Sequence, residues 1–137
     1  MKNKRKNLAQ DQGGGKMLAV CGIVRRKGRV LMCKRAAGVL FPGFWELPTE
    51  VLDENQTIED ALENAFFDRL MAIPQKIRWV GAVDFSYGEG GRLWACDVEL
   101  CKNFVCLNGY DDFRWVKPQN LKRFRVLKPF MTFLKDY

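Results

Sequence analysis

The acidic and basic side chains between Glu50 and Arg69 are the residues of this chain whose types and spacing could do chemistry. Side chains three and four residues apart share one face of a helix, and carboxylates placed in this way can hold Mg²⁺, which prefers oxygen ligands. Ala65, Asp68 and Arg69 have this spacing. They offer a single carboxylate, no ligand at Ala65, and at Arg69 a guanidinium that stays charged and repels a cation. This face therefore predicts poor metal binding.

One helix is predicted to carry these residues. Residues 57–60, Thr-Ile-Glu-Asp, are close to a capping box with a shorter acid in the reciprocal position. Pro74 cannot continue a helix, and the residue before it is biased away from helical geometry, so the helix should end near Ile73. Its buried face is predicted from apolar residues at helical spacing, namely Ile58, Ala61, Leu62, Phe66, Leu70 and Ile73.

The loop and helix over residues 49–73 resemble the signature of the Nudix hydrolase family, in its MutT-like branch. That signature is a glycine, five residues, a glutamate, seven residues, then Arg-Glu-aliphatic-any-Glu-Glu-any-Gly. The frame around it is similar as well. Residues 45–48, Trp-Glu-Leu-Pro, resemble the family's Trp-Glu-Phe-Pro, and residues 30–37 resemble its second strand with a basic exit.

In the family, the glutamates of this helix hold divalent cations against a diphosphate. When the sequence is aligned on the proline and the helix core, the signature's first and closing glycines fall on Glu50 and Met71, and its arginine falls on Asn64. Its four glutamates fall, in order, on Gln56, Ala65, Asp68 and Arg69. One of the four carboxylates remains. The resemblance therefore implies a Nudix scaffold with a degenerate Nudix box.

Length and composition place the chain among single-domain globular proteins. Its 137 residues are 47% hydrophobic and carry a net charge of +7. No apolar run approaches the length of a membrane span, and no apolar region follows the charged amino terminus, so a cytoplasmic protein is expected. The sequence has no histidine, which removes the commonest general base. Its five cysteines include no close Cys-x-x-Cys pair, so buried thiols are favoured over a zinc site.

Residues 1–16 are predicted to be a flexible basic tail, followed by a Nudix-like domain over residues 17–137. The tail has five basic residues and one acid, and it ends near three consecutive glycines. A basic tail suits weak contact with nucleic acid. A solubilising leader without a further role is the alternative.

The rest of the chain predicts an α/β fold, a Nudix-type α/β/α sandwich with a mixed β-sheet. Residues 17–24 read as a buried strand, with Arg29–Lys34 as its hairpin partner. Further strands are predicted over residues 76–87, 92–100, 104–107 and 113–116, a turn of helix over 118–121, and a terminal helix over 129–135.

Several side chains match the neighbourhood of the Nudix nucleotide pocket. These candidate ligand-binding residues are Lys34, Arg35, Phe41, Phe44, Arg69, Phe85, Tyr87 and Lys128. Aromatic rings can stack on a base, and basic side chains can hold phosphate. Lys128 stands where MutT-like members carry a purine-reading asparagine, which disfavours guanine-type recognition. Core packing remains the alternative for each aromatic residue, and Trp45 and Trp115 are assigned to the core.

Three functions are compatible with the sequence. The favoured one is a pseudoenzyme that binds a nucleotide, a nucleoside diphosphate derivative or another partner without normal hydrolysis. The second is an active nucleoside di- or triphosphate pyrophosphohydrolase in which relocated carboxylates hold Mg²⁺. The candidate carboxylates are Glu50, Asp53, Glu59, Glu63 and Asp68, with Glu63 and Asp68 as the first candidates. The third is a nucleic-acid-associated module. Arg69 itself has two open roles, direct phosphate binding or pairing with Glu50 across the loop.

Removing residues 1–16 is expected to leave the melting temperature almost unchanged, because the segment has too little apolar surface to offset its ordering entropy. If the tail binds nucleic acid weakly, its loss should also lower affinity and flatten the salt dependence of binding. Thermal unfolding and a salt titration of strand binding measure the two effects. An unchanged salt slope after truncation would remove the support that the tail gives to nucleic-acid binding.

Overall fold

The polypeptide forms eight strands and three short or medium helices in a computed structural model that describes residues 17–86, 90–101 and 105–134. The strands are β1 (Met17–Ile23), β2 (Arg25–Arg26), β3 (Arg29–Lys34), β4 (Trp45–Glu46), β5 (Thr49–Val51), β6 (Pro74–Phe85), β7 (Gly91–Leu100) and β8 (Asp112–Val116). The helices are α1 (Ile58–Leu70), a 3₁₀ helix (Pro118–Arg123) and α2 (Lys128–Met131). The predicted tail and the predicted positions of Tyr87, Phe104 and Lys135 lie outside the described residues.

Two sheets are built from these strands. The first has the order β5-β1-β7-β6, with β1 parallel to β7 and the other pairs antiparallel. The second has β3 at its centre, paired antiparallel with β2, β4 and β8. The expected α/β class with a mixed sheet is confirmed. No helix within the described ranges is long and apolar enough to cross a membrane.

The first predicted hairpin is only partly correct. Its turn closes Arg25–Arg26 against the start of β3, but β1 itself does not pair with β3. Instead β1 lies between β5 and β7 in the other sheet, and β3 pairs with β8. Six of the seven residues of β1 are buried. The backbone N–H and C=O groups of a buried strand need hydrogen-bond partners on both edges, and a single hairpin partner supplies only one edge.

The start of α1 agrees with the sequence, and its end does not. Thr57 Oγ1 accepts a hydrogen bond from Asp60 N at 3.1 Å, and Asp60 Oδ2 accepts one from Thr57 N at 3.2 Å, so the capping box is confirmed. The helix ends at Leu70, because Met71 adopts the left-handed conformation with φ of 53°. Ile73, predicted to belong to the buried face, is 55% exposed and leads into β6.

Two further expectations about the strands are wrong. Residues 105–107 form no strand. Instead, Cys106 N donates a hydrogen bond at 2.9 Å to the carbonyl oxygen of Leu70, the last residue of α1. The regular alternation predicted for β6 is interrupted by a bulge between Trp79 and Gly81. Trp79 is 54% exposed and packs edge-on against Trp94, at 5.5 Å between ring centroids.

The core lies on both faces of the first sheet. On one face, α1 buries the side chains of Ala61, Leu62, Ala65, Phe66 and Leu70 against β7 and β3. On the other face, the 3₁₀ helix contributes Leu121, and α2 with its flanking residues contributes Leu127, Phe130 and Leu134. The second sheet supplies residues to both clusters. α1 is therefore packed over one face of the first sheet, and this packing sets the position of its last turn.

Gly22→Ala is expected to destabilise the protein by about 1–3 kcal/mol, the usual cost of overpacking a core. A Cβ at Gly22 would lie 2.5 Å from Phe66 Cε2, and the Phe66 ring is fully buried and cannot move away cheaply. Urea unfolding measures the change.

Gly81→Ala is the matched control, since its Cβ would meet nothing nearer than Phe133 Cε1 at 3.9 Å. The double variant Gly22→Ala/Phe66→Leu should recover part of the loss. Equal stability of the two alanine variants would show that Phe66 does not fix α1 on β1.

Candidate functional site

The guanidinium of Arg69 joins the last turn of α1 to β5. Its Nη1 donates to the Thr49 carbonyl oxygen at 2.5 Å, and its Nη2 donates to Glu50 Oε1 at 2.9 Å. The Arg69 Cζ atom also stands 5.7 Å from the centroid of the Tyr110 ring. A basic side chain in the last turn complements the negative end of the helix dipole. Arg69 is thus a fixed cation in contact with three partners.

The main chain around Arg69 is held from the other side by the segment before β8. Asn108 N donates to Arg69 O at 2.8 Å, and Asn108 Nδ2 donates to Asp68 O at 2.8 Å, so the last carbonyl groups of α1 are satisfied. Gly109 has φ of +148°, and a Cβ there would lie 3.4 Å from Arg69 Cγ. The contact itself is an ordinary one, and it is the positive φ that favours glycine at this position.

Glu46 is a buried carboxylate with partners on both oxygens. It is 1% exposed, its Oε1 accepts from Arg35 Nη1 at 2.6 Å, and its Oε2 accepts from the Tyr110 hydroxyl at 2.7 Å. The same hydroxyl oxygen accepts a hydrogen bond from Thr49 N at 3.2 Å. A buried charge is tolerated only when paired and hydrogen-bonded, and Glu46 meets both conditions.

The pKa values of Glu46, Glu50, Arg69 and Tyr110 are all raised, by burial or by neighbouring charges. Burial raises the pKa of Glu46, against the lowering effect of Arg35 and Tyr110, and burial together with Glu46 raises the pKa of Tyr110 well above its usual range. Tyr110 therefore stays a hydrogen-bond donor. Burial also raises the pKa of Glu50. For Arg69, burial lowers the pKa, but Tyr110 and the two carboxylates outweigh it, so the guanidinium stays charged.

Two adjoining cavities open beside this network. A polar one of about 200 Å³ is bordered by Arg35, Glu46, Thr49, Arg69 and Tyr110, together with Ala36, Val39, Val51 and Gly109. A more apolar one of about 260 Å³ is lined by Met17, Ala19, Leu40, Phe41, Phe85, Leu93, Leu127 and Phe130, and it shares Arg35, Glu46, Thr49 and Val51 with the first. The shared residues place the two cavities side by side, the first with the guanidinium of Arg69 and the second with a mostly apolar lining. We call the pair of cavities the groove, with a polar end at Arg69 and an apolar end at Phe41 and Phe85.

The structure places the candidate ligand-binding residues in different positions. Phe41 and Phe85 line the apolar end of the groove, Arg69 lies at its polar end, and Arg35 borders both ends. Phe44 packs edge-on against Phe41 and lies 4.3 Å beneath the Arg125 guanidinium carbon. Two other candidates, Lys34 and Lys128, do not line the groove. Lys34 is half-buried in β3, and Lys128 is exposed at the first position of α2.

The other residues of the signature region have local roles. Gln56 Oε1 accepts from Asp53 N at 3.0 Å and shapes the loop before α1. Ala65 is fully buried in the core, whereas Asp68 and Glu63 are exposed. Asn64 is half-buried. Within the described ranges, no group of three or more Cys, Asp or Glu side chains is placed to hold a metal ion.

Sequence reasoning missed Tyr110, Leu127 and Phe130 as groove residues. Tyr110 lies 64 positions from its partner Glu46, so no local pattern joins them. Leu127 and Phe130 match the apolar spacing of a terminal helix, which predicts core packing equally well. The available signal was the acidic residue within the otherwise apolar Trp-Glu-Leu-Pro run, since a buried acid needs a partner elsewhere.

Comparison with curated proteins finds nucleoside triphosphatases among the relatives of this chain. No family profile matches the chain. The nucleoside triphosphatase NudI of Escherichia fergusonii is 32% identical over 120 residues, covering 77% of this chain and 84% of that protein. Its counterpart from Klebsiella pneumoniae is 31% identical over 120 residues, with the same coverage.

Solved structures agree with this fold. A MutT Nudix hydrolase from Burkholderia pseudomallei has a TM-score of 0.78 at 17% identity, covering 88% of this chain and 96% of that one. The Nudix domain of Shewanella oneidensis NrtR, complexed with ADP-ribose, has a TM-score of 0.73 at 14% identity, covering 88% and 86%. With a relative 32% identical over most of its length and this fold, the chain belongs to the Nudix hydrolase family.

Proposed function

We propose that this protein binds a nucleotide or a nucleoside diphosphate derivative in the groove, without normal Mg²⁺-dependent hydrolysis. The observation that carries the proposal is the guanidinium of Arg69. It stands at the helix position that the family signature gives to its last glutamate, and it is fixed there by Thr49 and Glu50. A permanent positive charge takes the place of a ligand that would attract a cation.

The donor set around this position does not fit the magnesium ion that the family implies. Mg²⁺ requires oxygen ligands in near-octahedral geometry. Ala65 offers none and is buried, Glu50 is already engaged by Arg69, and Asp68 is left as an exposed carboxylate beside a guanidinium. No step of a reaction is therefore assigned to a metal ion at this site.

The two ends of the groove suit the two ends of a nucleotide. Phe41 and Phe85 give the apolar end the aromatic surface on which a base can stack. At the polar end, Arg35 and Arg69 provide positive charge. Thr49 and Glu50 take two of the five N–H donors of the Arg69 guanidinium, so donors remain for a phosphate oxygen. The ADP-ribose complex of the NrtR Nudix domain supports a ligand of this class.

An active pyrophosphohydrolase is the alternative, and the name of the NudI relatives favours it, since they are nucleoside triphosphatases. It requires that Mg²⁺ be held by other carboxylates. Glu59 and Glu63 lie one helical turn apart on α1, Asp68 lies on another face near the end of the helix, and Glu50 and Asp53 lie on or beside β5. These residues would have to converge on a bound substrate.

Little or no Mg²⁺-dependent hydrolysis is expected from the purified protein. The assay measures release of phosphate, pyrophosphate and nucleoside monophosphate from nucleoside triphosphates and ADP-ribose, with the Escherichia fergusonii triphosphatase as the positive control. The physical reason is that no anchored ion is available to neutralise the developing phosphoryl charge. Robust turnover that is lost in Asp68→Asn or Glu63→Gln, but kept in the exposed control Glu99→Gln, would establish the alternative instead.

Nucleotide binding is expected to persist in the presence of a chelator and to weaken in Arg69→Glu. Loss of a charge-assisted contact costs about 1.5–3 kcal/mol, or roughly ten- to hundredfold in affinity, and a reversed charge adds repulsion. Titration calorimetry with nucleoside triphosphates and ADP-ribose measures it. Arg69→Gln, which adds no acid beside Glu50, serves as the milder variant, and Arg78→Glu on β6 is the matched control. Binding that requires Mg²⁺, or that survives both Arg69 changes, contradicts the role of this cation.

A further inference from the structure

A second surface of the protein carries most of its net positive charge. Residues 113–134 contain six Lys or Arg and no Asp or Glu, in a chain whose whole net charge is +7. The rest of the chain from residue 17 onward has twelve basic and fifteen acidic residues, a net charge of −3. This concentration is not the ordinary mixture of signs on a protein surface, where both charges are interspersed.

Five of these side chains project from one short stretch, residues 117–128, which we call the basic segment. They are Lys117, Lys122, Arg123, Arg125 and Lys128, and all five are exposed. Among the described residues none of them forms an ion pair, whereas Arg25, Arg35, Arg69, Arg78, Arg92 and Arg114 each do. Within the part of the chain that the structure describes, the charge of the basic segment is therefore not neutralised by an ion pair.

The backbone of the basic segment is held firmly by its apolar side. Leu121 is 1% exposed, and the Phe124 ring packs edge-on against Trp45 with centroids 5.1 Å apart. Trp45 N donates to Arg125 O at 2.8 Å, and Leu127 N donates to Trp45 O at 3.1 Å. Apolar side chains are thereby directed inward, and the exposed basic ones outward. A charged surface on a fixed backbone loses little entropy when it binds a ligand.

We propose that the basic segment is a docking surface for the phosphate backbone of a nucleic acid strand. Lysine, arginine and amide side chains make most protein contacts to phosphate oxygens, and Gln119 and Asn120 lie between the basic residues. Arg125 is preorganised by its position over the Phe44 ring, 4.3 Å from the centroid. The proposal goes beyond nucleotide binding in the groove and does not depend on it, because Lys122 and Arg123 line neither end of the groove.

A membrane surface is the less favoured partner. Basic segments that lie on a bilayer place large apolar side chains into the lipid. Among the described residues, every large apolar side chain that is strongly exposed lies outside residues 113–134. The surface thus offers charge and hydrogen bonds without an inserting apolar face, which suits a nucleic acid backbone.

The test uses the full chain and a 20-nucleotide fluorescein-labelled strand, as RNA, as DNA and as a DNA duplex, in an anisotropy titration at several salt concentrations. Lys122→Glu/Arg123→Glu is expected to reduce affinity about tenfold or more. It should also make the log–log salt slope shallower by about 1–2, since each lost phosphate contact removes roughly 0.7–0.9. The control Lys76→Glu/Arg78→Glu on β6 changes the net charge equally and should leave affinity within about threefold.

The proposal is overturned if the unaltered chain does not bind any strand at low salt, or if the two double variants lose affinity equally. It is also overturned if the chain binds phosphatidylserine vesicles or polyglutamate more tightly than it binds the strands. The tail is intact in both variants, so it contributes equally to each. Both variants should keep the nucleoside triphosphate affinity of the unaltered chain. Lys122→Glu/Arg123→Glu should also keep its melting temperature, whereas the control loses the exposed Arg78–Asp97 ion pair and a small part of its stability. Failure of triphosphate binding alone would therefore contradict the groove's function and not this one.

Discussion

The contact of Arg69 with Thr49 and Glu50 is the interaction on which the groove depends. It ties the end of α1 to β5, and the ring of Tyr110 packs against the same guanidinium. The ion pair is about a third exposed on the arginine side, so solvent screens it and its contribution to stability is modest. Its main consequence is geometric. It fixes the Arg69 guanidinium in the lining of the polar cavity, and the two acceptor oxygens set the orientation of that group.

The buried carboxylate of Glu46 imposes the second constraint. An ionised group this deep must keep its partners, and removing one partner of a buried pair commonly costs about 3–5 kcal/mol. Arg35 and Tyr110 supply those partners from two different parts of the chain. Tyr110 also contacts Arg69. The need of the buried Glu46 for hydrogen-bond partners therefore positions Arg35 directly and Arg69 through Tyr110. The network therefore links the stability of the fold to the shape of the groove.

Local sequence signals were reliable where the structure is local. The capping box at Thr57 formed as expected, because its donors and acceptors lie three residues apart. The sequence predicts the end of α1 near Ile73, because Pro74 cannot continue a helix. The helix ends at Leu70 instead, because Met71 adopts a left-handed conformation that its residue type does not indicate. The pairing of β1 was also misjudged, because the turn at Lys27 and Gly28 is visible in the sequence but the position of β7 beside β1 is not.

The sequence by itself determined the α/β class and the start of α1, and its alignment with the family signature predicts Arg69 at a position where a carboxylate is expected. Each of these depends on residue type and short spacing. Only the tertiary structure decided what Arg69 contacts, which aromatic residues line the groove, and that Glu46 is paired with Tyr110. Those facts depend on contacts between residues up to 64 positions apart, which packing fixes and local periodicity does not record.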